Sequence, residues 1–91
     1  MYHWNDERND ANREKHGIAF EDAVLAFSDP RRIILRDEKH SLRETRWFCI
    51  GRVKGRVLTV RFTYRDTTIR IFGAAEWRKW RKFYEETHRN R

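Results

Sequence analysis

The sequence has few of the residues that cross-link or interrupt a chain: one cysteine, one proline and four glycines in 91 residues. A single thiol, Cys49, excludes an intrachain disulfide and a cysteine-rich zinc site, and it favours a reducing compartment such as the cytoplasm. No apolar run exceeds the five residues 23–27, so we expect neither a secretory leader nor a membrane span, which needs about 20 apolar residues. His3, His40 and His88 lack ligand spacing, so no metal site and no cofactor are expected.

Positive charge is abundant instead. Twenty-one Lys and Arg residues against 14 Asp and Glu residues give a formal net charge of +7. Such an excess favours a nucleic acid or an acidic protein as the partner, with ordinary solubility as the alternative explanation. The aromatic residues, 4 Trp, 3 Tyr and 6 Phe, are enough for one modest core. We therefore expect residues 1–91 to form a single domain.

The clearest structural pattern lies in residues 43–73, which predict three consecutive strands. Apolar and polar residues alternate through Arg56–Arg65, so one face of this strand is apolar and the other, which includes Arg61, is basic. The dipeptide Asp66-Thr67 suits a two-residue hairpin loop into the next strand, residues 68–73. That loop predicts the pairs Arg65 with Thr68, Thr63 with Arg70, and Phe62 with Ile71.

The strand before this hairpin, residues 44–50, has two possible registers because the loop 51–55 allows a shift of one residue, which exchanges its faces. One register places Trp47 and Cys49 in the core and lines up Glu44, Arg46, Arg61 and Arg70 on one surface. The other buries Phe48 and Ile50 but brings charged side chains toward the core, where an unpaired charge is costly. We therefore expect the first register.

Helices are predicted on both sides of these strands. The first spans about residues 6–16, with Asn5 or Asp6 as the N-cap and Gly17 as the stop. A second follows from apolar residues at positions 20, 23, 24 and 27 and ends at Asp29-Pro30. Residues 31–36 form a candidate strand, residues 2–4 a short edge strand or an anchor, and residues 75–88 the last helix. The expected fold is α+β, with a small antiparallel sheet of three to four main strands, two N-terminal helices and one C-terminal helix.

Several motifs, in the same order along the chain, resemble the BrnT-type toxins of bacterial type II toxin-antitoxin modules. They are Trp4, the run from Asn12 through Lys15-His16-Gly17 to Ala23, Asp29-Pro30, Glu44-x-Arg46 followed by Ile50-Gly51, Leu58-Thr59-Val60, Ile69-Arg70-Ile71, and the aromatic and basic final helix ending near Tyr84. The resemblance implies a fold like that of the RelE-type ribonucleases and a metal-independent RNA endonuclease that inhibits translation. It also implies a cognate antitoxin of the ribbon-helix-helix type, similar to BrnA, in a toxin-antitoxin hetero-oligomer.

One position departs from the pattern of that family. Many such toxins have Ile-Ser-Ala-Arg after the Ile-Arg-Ile strand, whereas this chain has Phe72-Gly73-Ala74-Ala75. Ala75 therefore occupies the position of the expected arginine. Arg78 or Lys79, one turn further along the helix, can supply the charge.

RNA cleavage without a metal proceeds by attack of a ribose 2′-hydroxyl on the adjacent phosphate, which requires a base, a proton donor and cations for the developing charge. Candidates follow from these requirements and from the resemblance. The catalytic candidates are Lys15, His16, Glu44, Arg46 and Arg70, and the RNA-binding candidates are Arg61, Arg65, Arg78 and Lys79.

Each candidate has a plain structural alternative. The arginines can be solvated surface charges, His16 a favourable charge at a helix C-terminus, and Glu44 a carboxylate that orients arginines by ion pairing. Tyr84 can donate a proton or stack on a base, but its spacing from Trp77 and Trp80 is also that of a core residue. The rival functional hypothesis is a non-catalytic basic module that binds nucleic acid or an acidic protein.

Overall fold

A computed structural model describes residues 1–89 and shows one five-stranded mixed sheet with three α-helices. The spatial order of the strands is β1-β5-β4-β3-β2, with β1 parallel to β5 and the other pairs antiparallel. The elements are β1 (Tyr2–His3), α1 (Asp6–His16), α2 (Phe20–Ala23), β2 (Ile33–Arg36), β3 (Trp47–Val53), β4 (Arg56–Arg65), β5 (Thr68–Ala75) and α3 (Arg78–Thr87). No helix among the described residues is both long and apolar enough to cross a membrane.

The expected α+β class is correct, but the expected sheet was too small and wrongly all-antiparallel. The fifth strand is β1, which pairs in parallel with Ile69 and Arg70. The second helix is a single α-turn that continues as a 3₁₀ helix over Val24–Ser28. The last helix begins at Arg78, not at Ala75, because residues 74 and 75 continue β5 by pairing with Val60 and Thr59.

The predicted register of the central hairpins is confirmed. Trp47 pairs with Phe62 and Cys49 with Val60, so the register with Cys49 in the core is the correct one. The turn is shorter than expected, since β3 runs to Val53 and only Lys54 and Gly55 connect the strands. Both turn residues have positive φ, 51° and 83°, as a two-residue turn of type I′ requires.

Both faces of the sheet are covered. Each of the two registers predicted from the sequence buried only one face of the strand before the hairpin. On one face Phe20 and Ala23 of α2 pack in a core with Cys49, Val60 and Phe62. On the other face α3 covers a second, smaller cluster formed by Ile50, Val57 and Tyr84, with Ile33, Leu35 and Trp80 packed against it. Ile50 is therefore buried together with Cys49 although the two side chains point in opposite directions.

Asp29 ties the end of the 3₁₀ helix to both α3 and β3. Its carboxylate accepts hydrogen bonds from the Tyr84 hydroxyl and from the backbone amides of Arg31 and Arg52. Burial acts to raise the pKa of Asp29, but these hydrogen bonds outweigh it and lower the pKa below the ordinary value. Tyr84 is thus a core residue held by Asp29, and burial together with this hydrogen bond raises its pKa.

This arrangement predicts how stability depends on acid. Because the folded-state pKa of Asp29 is lowered, its contribution to the unfolding free energy is present above the unfolded pKa of about 3.9 and is lost as the pH falls through the folded pKa. Asp29→Asn should therefore flatten the fall in unfolding free energy between about pH 5 and pH 2. Urea denaturation at several pH values measures this slope. The exposed Asp10→Asn is the control, and equal slopes for both variants would contradict the assignment.

Candidate functional site

The part of the second sheet face that α3 leaves open carries a group of arginines. Arg61 and Arg65 share the side of β4 that faces away from the core containing Val60 and Phe62, and Arg70 lies on the same side of β5 because it pairs with Thr63. Arg46, which directly precedes β3, places its guanidinium over the ring of Phe72. We call the surface formed by Arg46, Arg61, Arg65, Arg70 and Phe72 the basic face.

A β-bulge shapes the centre of the basic face. Arg61 pairs with Gly73 and the next residue, Phe62, pairs with Ile71, so Phe72 has no partner on β4. The Phe72 ring lies among cations, with its centroid 4.0 Å from the Arg46 Cζ and 5.9 Å from the Arg8 Cζ. Neither Phe72 nor Arg8 was predicted from the sequence. A bulge has no local sequence pattern strong enough to predict it, and Arg8 approaches the ring only through the packing of α1 beside β5.

One side of α1 and the bulge of β5 border an open cleft of about 190 Å³. It brings Arg61 together with two predicted residues that lie far from it in the sequence, the consecutive Lys15 and His16. The other lining residues are Arg8, Ala11, Asn12 and Phe72. The cleft therefore combines an imidazole with several cations around one aromatic ring.

Asn12 fixes this side of α1 against the sheet. Its side-chain amide donates to the carbonyl oxygens of Ile18 (2.8 Å) and Ala74 (2.9 Å), and its Oδ1 accepts from the Ala74 amide at 3.1 Å. The amide of Asn12 thereby satisfies both backbone groups of Ala74 on β5. Gly17, at φ 69°, ends α1 directly after His16, so the imidazole is held at the helix terminus that lines the cleft.

The guanidinium of Arg61 lies against the sheet, between Gly73 and Trp77. A Cβ atom at Gly73 would lie 2.9 Å from Arg61 Nη2, so the absence of a side chain at this position leaves room for the guanidinium. The Arg61 Cζ also lies 5.8 Å from the centroid of the Trp77 ring. Its Nε is buried and has no hydrogen-bond partner within residues 1–89. Arg61 thus presents a fixed cation that no carboxylate among those residues neutralises within 4.0 Å.

A second hollow, of about 280 Å³, also borders β5 and is lined by His3, Arg65, Asp66, Thr68 and Arg70. Arg70 Nη1 lies 3.3 Å from His3 Nδ1, and because a guanidinium only donates, this histidine nitrogen accepts. Glu44 is ion-paired with two arginines of the basic face: its carboxylate lies 3.6 Å from Arg46 Nη2 and 3.4 Å from Arg65 Nη2. Its geometry is that of an ion-paired carboxylate.

Arg78 and Lys79 are not among the residues that line either hollow. Both side chains are exposed in the first turn of α3, and the Lys79 ammonium lies 4.8 Å from the centroid of the Trp80 ring. The residue of this segment that lies near Arg61 is Trp77, which directly precedes α3. Ala75 is 2% exposed at the end of β5, so no charge reaches the surface from the position where the family pattern has an arginine.

Other reactive groups offer little to this site. Burial raises the pKa of Cys49 to about 12, so the thiol stays protonated near neutral pH and is a poor nucleophile. Within residues 1–89, no three His, Cys, Asp or Glu side chains lie close enough together to hold a metal ion. The chemistry that the site offers is therefore that of guanidinium, ammonium, imidazole and carboxylate groups.

Comparison with known protein families gives a match over most of the chain. Residues 4–81 match the model of a family described as ribonuclease toxin, BrnT, of type II toxin-antitoxin system. None of the curated proteins compared with the chain gives a significant match. The matched range includes every residue that lines the cleft between α1 and β5, whereas His3 and the last turns of α3 lie outside it.

Proposed function

The chain belongs to the BrnT family of ribonuclease toxins of type II toxin-antitoxin systems, and from this premise we propose that its basic face binds and cleaves RNA. The proposed reaction is a metal-independent endonucleolytic cleavage that inhibits translation. The observation that carries this proposal is the cleft in which Lys15 and His16 meet Arg61 beside the bulge at Phe72. These residues come from α1 and β4, which the fold brings together around a strongly cationic hollow.

The proposed chemistry assigns different tasks to the groups around the cleft. The 2′-hydroxyl of a ribose attacks the adjacent phosphorus, and the bond to the 5′-oxygen breaks. Arg46, Arg61 and Arg70 bind the phosphate oxygens, because a planar guanidinium can donate two parallel hydrogen bonds to them. Charge builds on these oxygens during the attack, so fixed cations stabilise the transition state more than the substrate.

His16 is the proposed proton-transfer group, with Lys15 beside it as a further cation. Imidazole both accepts and donates protons near neutral pH, and His16 is half-buried on the wall of the cleft. Glu44 is proposed to orient Arg46 and Arg65 and not to act as the base, since it lies within 4 Å of both guanidinium groups. Arg65, Arg78 and Lys79 then extend the RNA-binding surface beyond the reacting phosphate.

A type II family implies an antitoxin partner. We propose that this partner is a ribbon-helix-helix protein similar to BrnA that covers the basic face with acidic side chains, and that the toxin fold is RelE-like. Such a complex would neutralise the two arginines of the basic face that no carboxylate of residues 1–89 reaches within 4.0 Å, Arg61 and Arg70.

One observation favours a second function, a basic module that binds RNA or an acidic protein without cleaving it. Ala75 is buried where the family pattern has an arginine, so the site has one cation fewer than that pattern predicts. If that arginine is essential for chemistry, binding remains and cleavage is lost. The two functions are distinguished by whether RNA is cut.

Induction of the chain in a bacterial host tests the proposal. Wild type should arrest growth, and RNA fragments should appear before bulk protein synthesis stops. Arg46→Ala and Glu44→Ala should restore growth by at least about 10²-fold in colony counts, because each disturbs the group that meets the phosphate. Arg36→Ala, which removes an exposed arginine on β2, is the matched control and should remain toxic. A well-expressed, harmless wild type with intact RNA would overturn the ribonuclease proposal in favour of the binding module.

A further inference from the structure

Phe72 has surroundings unlike those of the other large apolar residues of β5. Ile69 and Ile71 belong to the core formed with α2, whereas Phe72 is absent from both hydrophobic clusters and is only half-buried. Its ring instead contacts the guanidinium of Arg46, and the guanidinium of Arg8 lies further away, at 5.9 Å from the ring centroid. The bulge that leaves Phe72 without a partner on β4 directs its side chain to these cations and not into the core.

The contact with Arg46 is close enough to define where this arginine lies. A distance of 4.0 Å between its Cζ and the ring centroid corresponds to direct contact of the guanidinium with the ring. The N–H donors of a guanidinium lie in its own plane, so contact through its face leaves them available to an anion. Glu44 Oε2, 3.6 Å from Nη2, holds the same group from a second direction.

Phe72 also lines the cleft that contains Lys15, His16 and Arg61. The Phe72 ring therefore contacts Arg46 and also forms part of the wall of the cleft. Without that ring, the long side chain of Arg46 is free to sample other rotamers at the protein surface.

We propose that Phe72 is a positioning residue, which holds the guanidinium of Arg46 at the cleft so that it meets the same RNA phosphate as Lys15, His16 and Arg61. This inference rests on the proposed ribonuclease function. Phe72 itself does not bind the phosphate and transfers no proton. Its effect on the reaction passes through Arg46.

The test compares two substitutions that preserve an apolar side chain of similar reach. Phe72→Leu removes the aromatic face and should lower the kcat/KM of RNA cleavage about five- to twentyfold, whereas Phe72→Tyr keeps the face and should stay within about twofold of wild type. The assay uses the purified chain with a defined transcript, both free and in a translating bacterial extract. In the Arg46→Gln background, Phe72→Leu should have no further effect, because the group it positions is gone.

A spectroscopic readout separates positioning from general stability. In wild type the ring current of Phe72 should shift the Arg46 Hδ and Hε resonances upfield, and Phe72→Leu should return them to ordinary values at an unchanged melting temperature. If wild type cleaves RNA and Phe72→Leu cleaves equally well, or if its effect adds fully to that of Arg46→Gln, the inference is wrong and the ribonuclease proposal stands. If wild type cleaves no RNA in either format, both are wrong.

Discussion

Replacing Arg61 with glutamine is expected to slow RNA cleavage by about 10²- to 10³-fold while leaving the fold intact. Arg61 is the least exposed cation of the cleft, since Arg8 and Lys15 are exposed, and its guanidinium occupies the space beside Gly73 near the Trp77 ring. A cation fixed in place before the reaction stabilises developing negative charge without the cost of reorganisation. The measurement is the single-turnover rate of cleavage of a defined transcript, with urea denaturation as the check on folding.

The structure also explains why Arg61→Gln should leave the unfolding free energy nearly unchanged. The Nε of Arg61 is buried without a partner among the described residues, so the substitution breaks no hydrogen bond within them. Arg56→Gln is the matched control on the same strand: it removes a charge and an exposed ion pair with Glu76 but lies outside the cleft. We expect it to cleave at the wild-type rate. Equal rates for wild type and Arg61→Gln would remove Arg61 from the proposed site.

Gly51→Ala is expected to lower the unfolding free energy by about 3 kcal/mol, the largest stability effect that we predict. A Cβ atom at this position would lie 2.5 Å from the carbonyl oxygen of Ala26 and 3.1 Å from its carbonyl carbon and its Cα. All of these are backbone atoms of the 3₁₀ helix that packs on β3, so no side-chain rotation relieves the clash. Accommodation requires the helix to move away from a core that contains Ala26 and Cys49. Urea denaturation at neutral pH measures the loss.

Gly73→Ala is the informative control for this prediction. Its added Cβ would also be close to another atom, at 2.9 Å, but that atom is Nη2 of Arg61, the end of a long side chain. We expect a stability loss below about 1 kcal/mol, because the guanidinium can move. Cleavage should nevertheless fall, since Arg61 is displaced. If Gly73→Ala destabilised the protein as much as Gly51→Ala, the distinction between backbone and side-chain obstruction would be wrong.

The parts of the fold that were predictable are those governed by short-range patterns. Alternation in β4 and the two-residue loop at Asp66-Thr67 specify the β4–β5 pairs from Arg65 to Phe62. The cap at Asn5 and the glycine at position 17 specify the ends of α1. In each case the decisive interactions lie within a few residues of one another.

The rest depended on packing between distant segments. Ala75 was predicted as the start of the last helix, yet residues 74 and 75 join β5 because Val60 and Thr59 offer them backbone partners. Ile50 is buried by α3, more than 25 residues later in the chain. The cleft requires the bulge at Phe72 and the amide of Asn12, whose contact with Ala74 spans 62 residues. Lys15, His16 and Arg61 were predicted from the sequence as members of one larger site, and only the fold shows that these three line the same cavity.

The parallel pairing of β1 has a consequence for the order in which the protein matures during synthesis. β1 leaves the ribosome before every other strand of the sheet, but its partners Ile69 and Arg70 follow 67 residues later, on the order of several seconds at typical elongation rates. Until then the nascent chain can form α1 and part of the β3–β4 hairpin but not the hollow shared by His3 and Arg70. This member of a ribonuclease-toxin family thus lacks one wall of its basic surface while it is still attached to its own message.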